Sequence, residues 1–268
     1  MSIGTATFPE AMTQRWSDLT WELIPSAPEP PAMNLALDEV LTRAVGEGAR
    51  GPTLRFWGWS ASCIVLGRFQ SVRNEVQIEK ADEHGVQIVR RISGGGAMFI
   101  EPENAITYSI HVLPSFVEGL SFAESYAFLD SWVIDALRAL GIDAWYAPLN
   151  DITSTGGKIG GAAQARRFGG VLHHTTMAYD MDPTVMTQVL RIGQEKLSDK
   201  GLRSAEKRVG PLRQQTDLPR DEILRHLSRR FVELTGAGEG AVSDAERFEA
   251  TRLVDTKFST AEWTHLLP

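Results

Sequence analysis

Two glycine-rich segments hold the residues best suited to chemistry. In RRISGGGAMF (Arg90–Phe99), two arginines lead into Ser93, Gly94, Gly95, Gly96 and Ala97. Glycines lack a Cβ, tolerate positive φ and let backbone amides approach a ligand closely. Successive amides in such a turn can form a nest for an anion. If the strand runs on, Arg90 and Arg91 point to opposite faces, so one of them serves the loop. A plain hairpin turn fits the same residues. The segment follows neither the G-x-G-x-x-G nor the G-x-x-x-x-G-K-[ST] pattern of phosphate loops. In NDITSTGGKIGGAAQ (Asn150–Gln164), Lys158 lies among glycines. A lysine held in a permissive backbone offers a point charge to a phosphate or a carboxylate. The alternative is a solvated loop lysine. Asp151 is placed to order that lysine, to bind a metal or to cap a turn.

Other reactive types give less. His173 and His174 fall in a strand pattern, so their side chains face opposite ways and one of them faces the interior. A packed, hydrogen-bonded histidine is expected rather than a metal ligand, because no second ligand of matching spacing is visible. The single cysteine, Cys63, sits among apolar, β-prone neighbours and reads as a buried structural thiol. It forbids an intramolecular disulfide and a cysteine-based zinc cluster. There is no G-x-S-x-G elbow and no H-E-x-x-H motif, so serine-hydrolase and zincin chemistry lack support. Trp57 and Trp59 read as packing residues.

The elements that must position these residues follow from the rest of the chain. Its 268 residues are 43% hydrophobic and 23% charged, with a formal net charge of -7. That is enough to bury a sizeable core, and the charge offers no polycationic surface to nucleic acid or anionic membrane. With no apolar signal core and no membrane-length apolar run, a cytoplasmic protein is expected. Residues 1–20 read as an N-terminal arm and 21–268 as one catalytic-size domain, with PSAPEPP as a connector and LTWELIP as a strand candidate. MNLALDEVLTRAVGEG has helical spacing closed by glycine. TLRFWGW, SCIVLGRFQ, VQIVRRI, AITYSIHVLP and VLHHTTMAYDMD read as strands. FAESYAFLDSWVIDALRALG reads as one long helix, and the chain beyond residue 183 as mainly helical. Strands do not strictly alternate with helices, so the expected class is α+β.

Taken together, the segments resemble the lipoate-protein ligase A family, within the biotin/lipoate protein ligase catalytic domain superfamily. The resemblance runs through Met33–Glu39, Ser62–Gln70, Arg90–Phe99, Asn150–Asp151, Gly156–Gln164, Leu172–Met177, Lys200–Leu212 and Asp255–Trp263, in the family's order. It implies mixed β-sheets flanked by helices. It implies activation of lipoate or octanoate by magnesium-ATP to an acyl-adenylate, with no tightly bound cofactor. Transfer to a lysine of an apo lipoyl domain or of a glycine-cleavage carrier protein follows. By the family pattern Lys158 is the catalytic residue. Arg91, Ser93, Gly94, Gly95, Gly96 and Ala97 wall the adenylate pocket with Gly161, Ala163 and His174, and Asp151 lies near the magnesium or Lys158. Ile100 and Glu101 depart from the pattern, which often has a His-Asp pair there. The family's small C-terminal accessory domain is expected to be absent, or to be a separate subunit. Two alternatives stand. One is an octanoyl or lipoyl transferase that draws on an acyl-protein donor through a cysteine thioester, for which Asn150–Lys158 offers no cysteine. The other is a non-catalytic protein that binds lipoate, the adenylate or a lipoyl domain. Biotin ligation is disfavoured, since a Gly-Arg-Gly-Arg-type loop is absent. An acidic carrier would dock on a local basic surface including Arg166, Arg167 and the Lys196–Arg208 region.

Overall fold

The computed structural model describes residues 8–181, 183–191 and 209–267. In chain order the elements are α1 (Glu10–Ser17), β1 (Glu22–Ile24), β2 (Pro28–Glu29), α2 (Pro31–Gly46), β3 (Thr53–Trp59), β4 (Cys63–Leu66), α3 (Val72–Glu75), α4 (Ile78–Glu83), β5 (Gln87–Arg90), β6 (Met98–Ile100) and β7 (Ala105–Val112). Next come α5 (Phe122–Leu129), α6 (Ser131–Ala139), β8 (Ala144–Ala147), β9 (Asp151–Ser154), β10 (Gly157–Arg167), β11 (Gly170–Ala178) and α7 (Pro183–Val189). A helix at Arg220–Thr235, strand β12 (Gly238–Glu239) and a helical tail from Asp244 to Thr264 complete the described chain.

The strands form one large mixed sheet, ordered β12-β1-β3-β7-β11-β10-β9-β8 with β2 beside β3, and a small sheet ordered β5-β4-β6. The fold is therefore α+β, with helices on the sheet faces. The central strand β7 is buried along its whole length. Its alternation of apolar and polar residues separates two interiors rather than core from solvent. Ile106, Tyr108 and Ile110 enter an aromatic-rich core with Phe56, Phe128, Trp132 and Phe231. Ser109 and Thr107 face the other way and accept from the indole N–H groups of Trp57 (2.8 Å) and Trp59 (3.1 Å). Those hydrogen bonds remove the cost of burying polar groups on that face.

Several local readings change. The expected loose arm carries α1, and Trp16 is buried in the aromatic core, stacked 5.3 Å from Trp21. Truncating a packed indole costs about 3–5 kcal/mol, which is reason enough for this segment to dock. The expected single helix from Phe122 divides at Asp130, whose Oδ1 accepts from Tyr108 (2.5 Å) and Thr175 (2.8 Å) and lies 2.7 Å from His173 Nε2. Both His173 and His174 are buried, not one of them, because both faces of β11 are covered. The Lys158 segment is strand β10 with a register shift between Lys158 and Gly160, not a loop. The Lys196–Arg208 surface and the Lys200–Arg208 part of the resembling motif lie outside the described residues.

The tail packs onto the back of α2, where Ala250, Leu253 and Phe258 join Leu35, Val40 and Trp59 in a second core. Polar clamps hold it there. Lys257 bonds Glu39, Arg50 bonds Glu246 at 2.7 Å, and Arg90 donates to the Thr264 carbonyl at 2.6 Å. Among the described residues no helix is long and apolar enough to cross a membrane.

Candidate active site

A cavity of about 280 Å³ opens between the two sheets. Apolar side chains of Leu35, Trp57, Trp59, Val65, Met98 and Ile100 form much of its wall. The two glycine-rich segments meet on it. Arg91, Gly95, Gly96 and Ala97 line it from the small sheet, and Lys158, Gly161 and Ala163 from β10, with His174 from the adjoining strand β11. Register explains this convergence: Ala163 pairs with His174, and Gly161 pairs with Asp151.

The Ser93–Ala97 turn is built around Arg91. Its guanidinium donates to the carbonyls of Gly94 (2.6 Å), Gly96 (2.9 Å) and Val65 (3.2 Å) and, from Nε, to Ser93 Oγ (3.1 Å). Each planar peptide sets its N–H opposite its carbonyl. The amides of Gly95 and Ala97 are therefore turned away from the guanidinium that holds the Gly94 and Gly96 oxygens. Arg91 is buried, and desolvation lowers its pKa to about 10, so it stays cationic at neutral pH. Gly95 has φ +91°, and a Cβ there would lie 2.8 Å from Arg91 Nη2. At Gly67 an added Cβ would meet the Gly95 carbonyl oxygen at 2.0 Å, so this turn needs glycine on both sides. Arg90 leaves the site and binds the Gly67 (2.9 Å) and Gln70 (2.6 Å) carbonyls, as opposite pointing along β5 requires.

Lys158 Nζ lies 2.7 Å from Asp151 Oδ1, with both side chains partly exposed. A Cβ at Gly161 would come within 3.3 Å of the same Nζ. The glycine thus keeps the space beside the lysine clear for a ligand atom. Among the described residues no group of three or more His, Cys, Asp or Glu is arranged to hold a metal. Magnesium is commonly held by one or two carboxylates together with substrate phosphates. Asp151 fits that role beside a nucleotide.

Behind the cavity wall runs a chain of hydrogen bonds. His174 Nε2 lies 2.6 Å from Ser93 Oγ, and His174 Nδ1 lies 2.8 Å from Asp38 Oδ2. Asp38 Oδ1 accepts from Ser109 at 2.8 Å. Burial lowers the pKa of His174, partly offset by its hydrogen bond to Asp38. Asp38 lies in the Met33–Glu39 segment that carries the resemblance, but its role, like those of Ser109 and the Trp57 wall, did not stand out in the sequence. The available signal was an acid on the apolar side of α2, in helical step with buried Leu35 and Thr42. Cys63 is fully buried and is not part of the cavity wall, and desolvation raises its thiol pKa strongly.

Comparison with known proteins agrees with this architecture. The family model of the lipoyl protein ligase A/B catalytic domain matches residues 30–232. Octanoyltransferase LipM of Halalkalibacterium halodurans is 27% identical, covering 91% of this chain and 98% of that one. Lipoate-protein ligase A subunit 1 of Thermoplasma acidophilum is 30% identical, covering 90% and 94%. Among solved structures, a bipartite lipoate protein ligase described with its E2 lipoyl domain, from T. acidophilum, superposes with a TM-score of 0.82. It is 29% identical and covers 93% of this chain and 98% of that one. A lipoate-protein ligase A bound with ATP gives 0.79 at 27% identity, covering 92% and 98%.

Proposed function

The chain belongs to the lipoyl protein ligase A/B catalytic domain family, and on that premise we propose that it is a lipoate-protein ligase working through an acyl-adenylate. The carboxylate of lipoate or octanoate attacks the α-phosphorus of ATP, an oxygen–phosphorus bond forms, and pyrophosphate leaves with its magnesium. The ε-amine of a lysine on an apo lipoyl domain, or on a glycine-cleavage carrier, then attacks the acyl carbon. An amide forms, AMP leaves, and the amine proton passes to solvent or phosphate. Charge builds on oxygen in both steps, and fixed donors lower both barriers. Lys158 and the outward amides of Gly95 and Ala97 are the donors suited to this. The apolar wall suits an acyl chain, which offers nothing polar along its length.

The observation that carries this reading is the position of the only cysteine. A transferase working by thioester needs a thiolate within reach of the acyl carbon. Cys63 is buried off the cavity with its thiol pKa raised. A second reading, transfer from an octanoyl-protein donor, is favoured by the octanoyltransferase LipM among the relatives. A separate second subunit fits the name of the T. acidophilum relative, subunit 1.

The test is the intact mass of an apo lipoyl domain after incubation with this protein, lipoate and magnesium-ATP. Parallel reactions supply lipoyl-adenylate or octanoyl carrier protein. Acylation from lipoate and ATP that survives Cys63→Ala supports the ligase. Acylation from the adenylate alone shows that activation needs a second subunit. Acylation from carrier protein alone, lost in Cys63→Ala, overturns the proposal.

A further inference from the structure

We infer that Asp38 is a positioning residue that sets both the glycine turn and the apolar wall of the cavity; the inference rests on the acyl-binding reading of that cavity. Asp38 is not itself on the cavity wall. Its carboxylate branches. Oδ2 holds His174 Nδ1 at 2.8 Å, and Oδ1 accepts from Ser109, which in turn accepts from the Trp57 indole. Burial lowers the His174 pKa, so the ring is neutral at neutral pH and carries one proton. A carboxylate only accepts hydrogen bonds, so that proton belongs on Nδ1 and Nε2 presents a lone pair. Ser93 must then donate its hydroxyl hydrogen to Nε2, across 2.6 Å. That leaves the Ser93 oxygen free to accept from Arg91 Nε, which it does at 3.1 Å.

The direction of every bond is thereby fixed from Asp38 to the guanidinium, and the guanidinium fixes the Gly94 and Gly96 carbonyls. Along the other branch the same carboxylate fixes the Trp57 ring, which also packs edge-on against His174 at 5.9 Å. One acid on α2 thus keeps the anion side and the acyl side of the cavity in mutual register. One neighbouring charge suits an acceptor at this point: Arg55 Nη1 lies 3.8 Å from Asp38 Oδ1. His111 Nε2 is at the same distance but adds no charge, since burial holds His111 neutral to about pH 4.

Asp38→Asn tests the idea, because an amide has one acceptor atom where the carboxylate has two. One branch must reverse its donors. The first readout is the His174 imidazole by ¹⁵N NMR on the full-length protein, assigned by its loss in His174→Gln. Wild type is expected in the Nδ1–H tautomer, and Asp38→Asn to lose that state where its amide nitrogen turns to His174 and otherwise to lose the Ser109 bond. The second readout is calorimetric binding of lipoate and of octanoate. Both are expected to weaken by roughly tenfold in Asp38→Asn, as for a lost buried hydrogen bond to a charged group. Ser109→Ala cuts only the Trp57 branch. It is expected to weaken binding while the tautomer stays as in wild type, and it carries the test if Asp38→Asn does not fold. An Nε2–H tautomer in wild type overturns the inference, as does a folded Asp38→Asn with unchanged tautomer and affinity. If wild type binds neither acid, the acyl reading of the cavity fails and the tautomer alone decides the bond direction.

Discussion

Lys158 and Gly95 make opposite demands on a substitution. Lys158 acts by charge and reach, so Lys158→Ala should lower kcat/KM for acyl transfer by about 10²–10³, the usual loss for one donor to a developing oxyanion. Lys158→Arg should restore little, because a planar guanidinium does not replace a compact ammonium between Asp151 and Gly161. Steady-state transfer to a lipoyl domain measures both. Gly95 acts by lacking a side chain. At φ +91°, with Arg91 Nη2 at 2.8 Å from a new Cβ, Gly95→Ala should loosen the turn at a cost of about 1–2 kcal/mol. Thermal melting should show a small fall, and lipoate binding a larger one. Both residues were legible in the sequence because unusual local composition marks them. Asp38 stands in the Met33–Glu39 segment, but its role was not legible, since its partners come from β7 and β11 and only tertiary pairing brings them together.

Strand and helix types were largely legible, because their periodicity is local. Two failures share a cause in long-range polar contacts. The helix predicted from Phe122 divides at Asp130, which sits at φ −97° and ψ −2° between α5 and α6. Its carboxylate serves Tyr108, His173 and Thr175 on two strands of the sheet, and nothing within the helix sequence reveals those partners. Asp130→Ala should leave these buried donors without an acceptor and destabilise the fold by about 3 kcal/mol or more, read as a lower urea midpoint. The second failure is β10, read only as a glycine-rich segment of permissive backbone and not as a strand. Glycine is needed there for packing rather than for turning: a Cβ at Gly160 would come within 2.5 Å of the Thr176 carbonyl oxygen on β11. Composition alone does not distinguish a loop glycine from one that lets two strands approach.

Over the whole molecule, two covered sheet faces place titratable groups where burial decides their charge. His111 is neutral in the fold, its pKa lowered to about 4 by desolvation and only partly restored by Asp38. The unfolded chain, near the ordinary histidine value of 6.5, binds this proton more readily between those pH values. Stability should therefore rise with pH across that window, by about 1.4 kcal/mol per pH unit for this one proton and about 3 kcal/mol in all. Below about pH 4 this contribution stops changing. Chemical denaturation at stepped pH should show the slope, and His111→Gln should reduce it by one proton. The basic pair expected to meet a carrier is exposed, with Arg166 4.5 Å over the Phe122 ring. The strand order has a consequence for how firmly the cavity is held. β7 and β11 lie in the middle of the large sheet, whereas β8 ends it and β9 lies next to that end. Amide hydrogen exchange should accordingly be slowest beside His174 and quicken toward the strand that carries Asp151. On that expectation the cavity joins a region that should open only with global unfolding to a margin that should open on its own. A bound acyl ligand should slow exchange at the centre, because it stabilises the fold against global unfolding, and at that margin as far as opening there releases the ligand.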